Sequence, residues 1–563
     1  MIDHDTRPAP STLSWLPSVA ALALGIALLA ASAIPFERVQ AAVDAFSADG
    51  HAESFTRALH HAAVVNLRVV AAALIAFAAW AARCREQVAR RARSLWIDTR
   101  TYVSERRPIE RASLVLLAAI TAAGAAVRAL ALRQPVNYDE AFTYITYVRR
   151  PLWVSLSDYS YPNNHVLHTL LAHLSTRVFG MGPVALRLPA FIAGVAIVPL
   201  TYLVARKLSD DASAIVAAAL VAASEVLIAF SVLARGYSLL TAAFLLALLF
   251  AADIARGDRR AWAPFVIACS LGFYALPTFI YPFGVLGMWI AWTAPRTLGA
   301  LTAAALATLA IVIVLYLPIL VVSGLGAGAA YGYGSAAPSS VARFARDCWT
   351  DWVRGANPFV AAAMGAAAIG AAIGGRPLRR LGAATLACAI AAVVLQRVAM
   401  PPRVWLFTVP IALMLAANAI GSVARDRPAI VAVVCALVCL DAFRLRPPQY
   451  VEEYGSDEIA MVRDVEAATT FVGTRLTPRD AIAAAFPTID LVEYYLRLHG
   501  MPVEPLRNPP PSAVRYLVVT NDRVGNSLAA VIDARRLDVD VSRRQLLLET
   551  EFNRVYSLPK RPQ

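Results

Sequence analysis

"SLVLLAAITAAGAAVRALALRQPVNYDEAFTYITYVRRPLW" runs from Ser113 to Trp153. Its first half is apolar and matches the roughly twenty residues that a helix needs to cross a bilayer. Its second half turns polar at once and presents Asp139 and Glu140 among Tyr138, Phe142, Tyr144 and Tyr147. A span that surfaces directly into an acidic, aromatic segment reads as a membrane helix that holds reactive groups at the water interface. The plain structural alternative is helix capping, because carboxylates favour a helix N-terminus.

Outward from this stretch the pattern repeats. The 563 residues are 59% hydrophobic and 16% charged, too little charge for a soluble chain of this length. About thirteen apolar runs qualify as spans by the length rule. They lie near 13–34, 60–82, 112–132, 185–205, 212–231, 237–254, 261–276, 278–294, 298–322, 357–374, 381–398, 404–422 and 428–443. The expected fold class is mainly α, a polytopic transmembrane helical bundle with a small soluble α/β domain at its C-terminal end. Residues 1–111 form an N-terminal hairpin with a basic linker, 112–444 the membrane core, and 445–563 the soluble domain. In that last part short apolar runs such as "VRYLVVTN" alternate with the amphipathic "TIDLVEYYLRLHG", a mixed α/β pattern. The first apolar run lacks a cleavage site and is expected to be retained.

The formal net charge is +14, which in a soluble domain would suggest nucleic acid. Here the excess lies in short loops between spans, with nine Arg in the segment 83–111. Further basic loops are "RKLSDD", "RGDRR", "GGRPLRR" and "ARDR", all on one side if the spans alternate. The positive-inside rule makes that side cytoplasmic, so no nucleic-acid partner is expected. Asp139, the Gly/Ala/Ser-rich segment 324–340 and the C-terminal domain then face outward. Segment 324–340 is a candidate lid, and 341–355 a candidate interfacial helix. Six scattered cysteines suggest neither a disulfide framework nor a Cys-based metal site.

Four arginines, Arg187, Arg235, Arg397 and Arg403, sit at span ends on the outward side, where the positive-inside trend does not place them. Snorkelling to headgroups explains one such residue. Four on one face suggest phosphate binding, since guanidinium holds phosphate through paired hydrogen bonds. Between Asp139 and Arg187 lies "NNHVLHTLL", in which His165 and His168 share a helix face at i,i+3. Metal ligation with Asp139 is one reading of that pair. The other is that Asn163, Asn164 and His165 bind a polar substrate or position the acidic loop.

In order and content these features resemble the C-type (GT-C) glycosyltransferases, integral membrane enzymes that use lipid-linked sugar donors. The resemblance is nearest to the branch of protein O-mannosyltransferases and aminoarabinose transferases. It rests on "NYDEAFTY", "NNHVLHTLL", "RLPAFIAG", "SVLARGYSL", "LGFYALPTFIYP" and "MPPRVWLFTVP", and covers roughly 112–443. The first hairpin precedes what is usually the family's first span. The resemblance implies an inverting transfer from a polyprenyl-phosphate sugar to an acceptor hydroxyl on a glycan, lipid or protein. It implies that Asp139 is the catalytic base, with Glu140 in support, and that Arg235 and Tyr237 match the family's Arg-Tyr pair. Tyr138 and Tyr144 are expected to pack the sugar. The implied location is the bacterial cytoplasmic membrane, among its lipids, with the site outside. A transporter or flippase of a lipid-linked sugar is the rival reading. No cofactor follows from the sequence, and a divalent metal stays open.

Overall fold

The computed structural model describes residues 15–44, 55–87, 109–161, 163–323, 340–353, 357–397, 400–424, 427–444 and 463–561. The expected lid lies outside these residues except for Ser340, as does most of the basic segment before residue 109.

Helix occupies part of every apolar run named above. Hydrocarbon offers no partner to a backbone N–H or C=O, so a spanning segment must satisfy its own. Among the described residues six helices are long and apolar enough to cross a membrane: Arg57–Arg83, Arg111–Ala131, Pro183–Leu208, Tyr237–Ala255, Pro295–Leu320 and Arg376–Gln396. Two bent pairs, Ser18–Ala31 with Phe36–Asp44 and Asp211–Ala222 with Glu225–Ser231, raise that number to eight if each is one span. The other runs hold apolar helices of 14 to 17 residues. The protein is therefore a multi-pass membrane protein.

The elements that carry the site follow in chain order. Helix α1 (Arg111–Ala131) leads to the short α2 (Tyr138–Thr143), one π-helical turn (Tyr144–Val148) and a further short helix (Leu152–Ser157). Then come α3 (Val166–Phe179), α4 (Pro183–Leu208) and α5 (Tyr237–Ala255). Helices α4 and α5 pack together within one large apolar core. The pair Asp211–Ala222 and Glu225–Ser231 is bent by 59°. A break inside a membrane leaves carbonyls without partners, and Arg128 of α1 supplies them. Its fully buried guanidinium donates to Ala222 O at 3.0 Å and to Ser231 Oγ at 3.2 Å.

The two ends of the bundle differ. At one end Lys207 pairs with Asp253, and Arg206 with Asp211 at 3.0 Å. At the other end stand Glu140, Arg187, Arg235 and Tyr237. That second end also carries the C-terminal residues, which begin with α6 (Val465–Arg475) and include α7 (Thr488–Leu498). Their sheet has the order β1-β2-β4-β3, with β1 at Asp480–Ala483, β2 at Arg515–Thr520, β3 at Gln545–Glu549 and β4 at Arg554–Pro559. β1 and β2 are parallel, so a crossover must join them, and α7 supplies it. The β2–β4 and β3–β4 pairs are antiparallel. Helix α7 docks onto the segment after α1: the Tyr495 hydroxyl accepts from Val136 N–H at 3.0 Å, and the Tyr494 hydroxyl donates to Met181 O at 2.9 Å.

The helix Val341–Val353 turns Phe344 and Cys348 into the main core and leaves Arg343 and Arg346 exposed. Phe344 meets Trp405 edge-on at 5.4 Å. Cys348 is thus buried on the inner face of this helix.

Candidate active site

Two adjacent carboxylates leave α2 in different directions and meet different fates. Asn137 caps the helix. Its side chain accepts from Glu140 N–H at 2.9 Å, and the Glu140 carboxylate accepts from Asn137 N–H at 2.9 Å, a complete capping box. Glu140 does more than cap. Its Oε1 accepts from Arg187 Nε at 2.8 Å and from Ala234 N–H at 2.6 Å, and its Oε2 from Arg187 Nη2 at 2.6 Å. The carboxylate is fully buried and makes four hydrogen bonds, one for each lone-pair site. Arg187 completes its own set on the carbonyls of Leu132, Gln134 and Pro135 at 2.8–2.9 Å. With all five of its N–H donors engaged, this guanidinium has none left for a phosphate.

This buried pair joins three chain segments, and the join determines what faces what. Glu140 holds Ala234, so the next residue on each side, Asp139 and Arg235, come together. Arg235 Nη2 lies 3.3 Å from Asp139 Oδ2, with the Asp139 side chain 33% exposed and that of Arg235 9% exposed. Arg235 also donates to the Asn163 side chain, whose amide in turn reaches Asp139 O at 3.4 Å. One residue further on, Gly236 N–H donates to His165 Nδ1 at 2.7 Å. A Cβ on Gly236 would stand 3.0 Å from Ala275 O and 3.1 Å from His165 Cβ, so a side chain there would push the loop off its support. Burial holds the His165 imidazole well below its ordinary range, and the nearby Arg235, His168 and Arg403 add to this. Neutral His165 is what the Gly236 contact requires, since a protonated ring has no acceptor nitrogen.

The shared geometry is a one-third exposed carboxylate facing a mostly buried guanidinium at one end of a membrane bundle. Solved structures with a similar architecture exist. ArnT from Cupriavidus metallidurans in the apo state aligns with a TM-score of 0.55 and 14% identity, over 79% of this chain and 97% of that one. The same protein bound to undecaprenyl phosphate aligns at 0.54, with the same identity and coverage. The chain has the ArnT fold, as the C-type resemblance implies. A family model described as dolichyl-phosphate-mannose-protein mannosyltransferase matches residues 164–321. That interval holds Arg187, Arg235 and Tyr237 of the C-type pattern but begins after Asp139. No curated protein sequence matches the chain.

Against this C-type frame the expected site residues divide. Asp139, Arg235, Asn163 and His165 come together. Tyr237 stands beside them, its ring edge-on to His165 at 5.2 Å. Tyr138 is also adjacent: burial raises its phenol above the ordinary range, and Asp490 and Asp139 both act on it. Arg403 is exposed and within electrostatic reach of His165. Five of the expected residues are held elsewhere or by other partners. Glu140 and Arg187 form a saturated buried pair, which sets Glu140 in a supporting place behind Asp139 and leaves Arg187 no free donor for a phosphate. Tyr144 is buried against Tyr494 of α7 at 5.5 Å, so it joins the two parts of the chain. Asn164 is fully buried and its amide ties the Ser155 and Asp158 carbonyls at 3.0 and 2.7 Å, which spends its donors on the loop. Arg397 ends the helix Arg376–Gln396 in the left-handed region at φ 58°, exposed, and joins none of the contacts around Asp139.

Among the described residues no group of three or more His, Cys, Asp or Glu is placed to hold a metal ion. The His165–His168–Asp139 constellation does not form. His165 is committed to Gly236, and burial pushes the His168 imidazole down to about 3. Sequence reasoning missed two contributors. Arg128 reads as part of an apolar run, although a single Arg near the end of a span is itself a signal of a partner inside the membrane. Asp490, distant in the chain, gives no signal at all.

Proposed function

We propose that the protein is a glycosyltransferase that moves a sugar from a polyprenyl-phosphate donor to an acceptor hydroxyl, with inversion, at the outer face of a bacterial cytoplasmic membrane. The observation that carries this reading is the 3.3 Å pair of Asp139 and Arg235, one group partly exposed and the other mostly buried, in a C-type fold. The acceptor oxygen attacks the anomeric carbon as the bond from that carbon to the phosphate oxygen breaks. The hydroxyl proton passes to Asp139, and the polyprenyl phosphate leaves with the bonding electrons. Arg235 lies where it can stabilise the charge that grows on that phosphate. The oxocarbenium-like character of such a transition state is general to glycosyl transfer. Buried Glu140 and neutral His165 keep the two reacting groups in register from behind.

The test is single-turnover transfer of radiolabelled sugar from a polyprenyl-phosphate donor by purified Asp139→Asn protein. Asparagine keeps the size but cannot take the proton, and a general base contributes about 10²–10⁴-fold. A loss in that range, with folding and donor binding intact, is the expected outcome. Near wild-type transfer would remove Asp139 from the reaction.

A further inference from the structure

The mechanism leaves a row of rings unexplained. Phe486 follows β1 in the C-terminal part of the chain and is 66% exposed. It meets Tyr138 edge-on at 5.1 Å, Tyr138 lies 6.0 Å from Phe142, and Phe142 meets Tyr161 edge-on at 5.2 Å. Tyr161 is again open, at 40% exposure. Four rings thus form one contiguous row with exposed ends and half-buried middle members, and Asp139 lies in sequence between the two middle rings. A carboxylate stands at the C-terminal side as well. Asp490 is held by Arg507 at 3.3 Å and lies within electrostatic reach of the Tyr138 hydroxyl.

We propose that this row is the acceptor subsite, and that the C-terminal part of the chain completes it by presenting Phe486 to the sugar ring of a glycan acceptor, with buried Asp490 behind Tyr138. The inference rests on the transferase reading above and adds the acceptor class to it. A hydroxyl that reaches Asp139 brings its parent group close to Tyr138, which lies within electrostatic reach of that carboxylate. Sugar rings combine apolar C–H faces with a hydroxyl rim. They suit aromatic faces, whose negative charge attracts C–H groups, beside a carboxylate that accepts hydrogen bonds. An acyl chain would leave the Asp139 carboxylate facing hydrocarbon, a costly arrangement.

The probes are undecaprenyl phosphate and a printed array of bacterial-envelope oligosaccharides together with Ser/Thr peptides, applied to the full-length purified protein. Wild-type protein is expected to bind a subset of the oligosaccharides. Phe486→Ala is expected to lose that binding by at least about tenfold, in line with aromatic contacts of this kind, while keeping its affinity for undecaprenyl phosphate. Phe486→Trp, which retains an aromatic face, is expected to bind as wild type does. The proposal falls if wild-type protein binds only peptides or nothing on the array, if Phe486→Ala binds saccharide normally, or if Phe486→Trp fails as Phe486→Ala does. Loss of both probes in Phe486→Ala also overturns it, because the effect is then not confined to the acceptor. Failure of wild-type protein to bind undecaprenyl phosphate would instead count against the donor, and so against the transferase reading itself.

Discussion

Glu140→Gln should damage this protein through its architecture rather than its chemistry. The wild-type carboxylate accepts four hydrogen bonds, two from Arg187 and one each from Ala234 and Asn137, with no exposure to solvent. Glutamine offers one acceptor oxygen and turns an NH₂ group toward donors. Arg187 then remains a buried cation with no counter-charge, and breaking such a pair costs about 3–5 kcal/mol. In the neighbouring pair Asp139 is one-third exposed, and the mostly buried Arg235 keeps the Asn163 side chain as a second acceptor, so Asp139→Asn should cost less stability than Glu140→Gln. Two carboxylates adjacent in the chain are therefore predicted to separate in stability. Reversible denaturant titration of both variants in mixed micelles measures the difference. Adding Arg187→Met to Glu140→Gln removes the stranded charge and should recover part of the stability. It should not restore transfer, because Ala234 has lost its strongest acceptor and Arg235 its register. Wild-type stability in Glu140→Gln, or unfolding caused by Asp139→Asn instead, would refute the reasoning.

Arg235→Ala is expected to weaken donor binding by about 1.5–3 kcal/mol, the range for a charge-assisted hydrogen bond; unchanged binding of undecaprenyl phosphate to a folded variant would make Arg235 only a structural partner. Burial raises the Asp490 carboxyl from its ordinary value to about 6, with Arg507 opposing the shift and Glu493 adding to it. The folded state then holds this proton more tightly than the unfolded chain, so the group's contribution is present at low pH and lost as pH rises from about 4 to 6. Asp490→Asn should flatten stability across that window, and an unaltered slope would contradict it. For orientation, buried Cys348 is a poor reporter. Exposed Ser512, changed to Cys, should react with an impermeant thiol reagent on intact cells, while Cys84 should react only after permeabilisation; the reverse pattern would invert the proposed topology.

Composition and periodicity were enough to identify a helical membrane protein, because the demand that each segment satisfy its own backbone in hydrocarbon acts locally and leaves its mark in every apolar run. The acidic segment after α1, the Arg-Tyr pair at Arg235 and Tyr237, and the C-type resemblance were legible for the same reason: each is a short contiguous pattern. The resemblance put Asp139 before Glu140, but the residues themselves gave no physical reason for that order. Asp139 and Glu140 are neighbours of one charge, Arg187 and Arg235 both stand at span ends, and nothing in a linear string pairs them. Packing makes the choice. The capping box turns Glu140 inward, Arg187 and Ala234 are there to receive it, and Asp139 is left toward solvent opposite Arg235. Asp490 and Phe486 approach Tyr138 only because α7 docks on the segment after α1, across more than three hundred residues of chain. Local structure follows from nearby residues, whereas a site assembled from four segments exists only once tertiary contacts have brought them together.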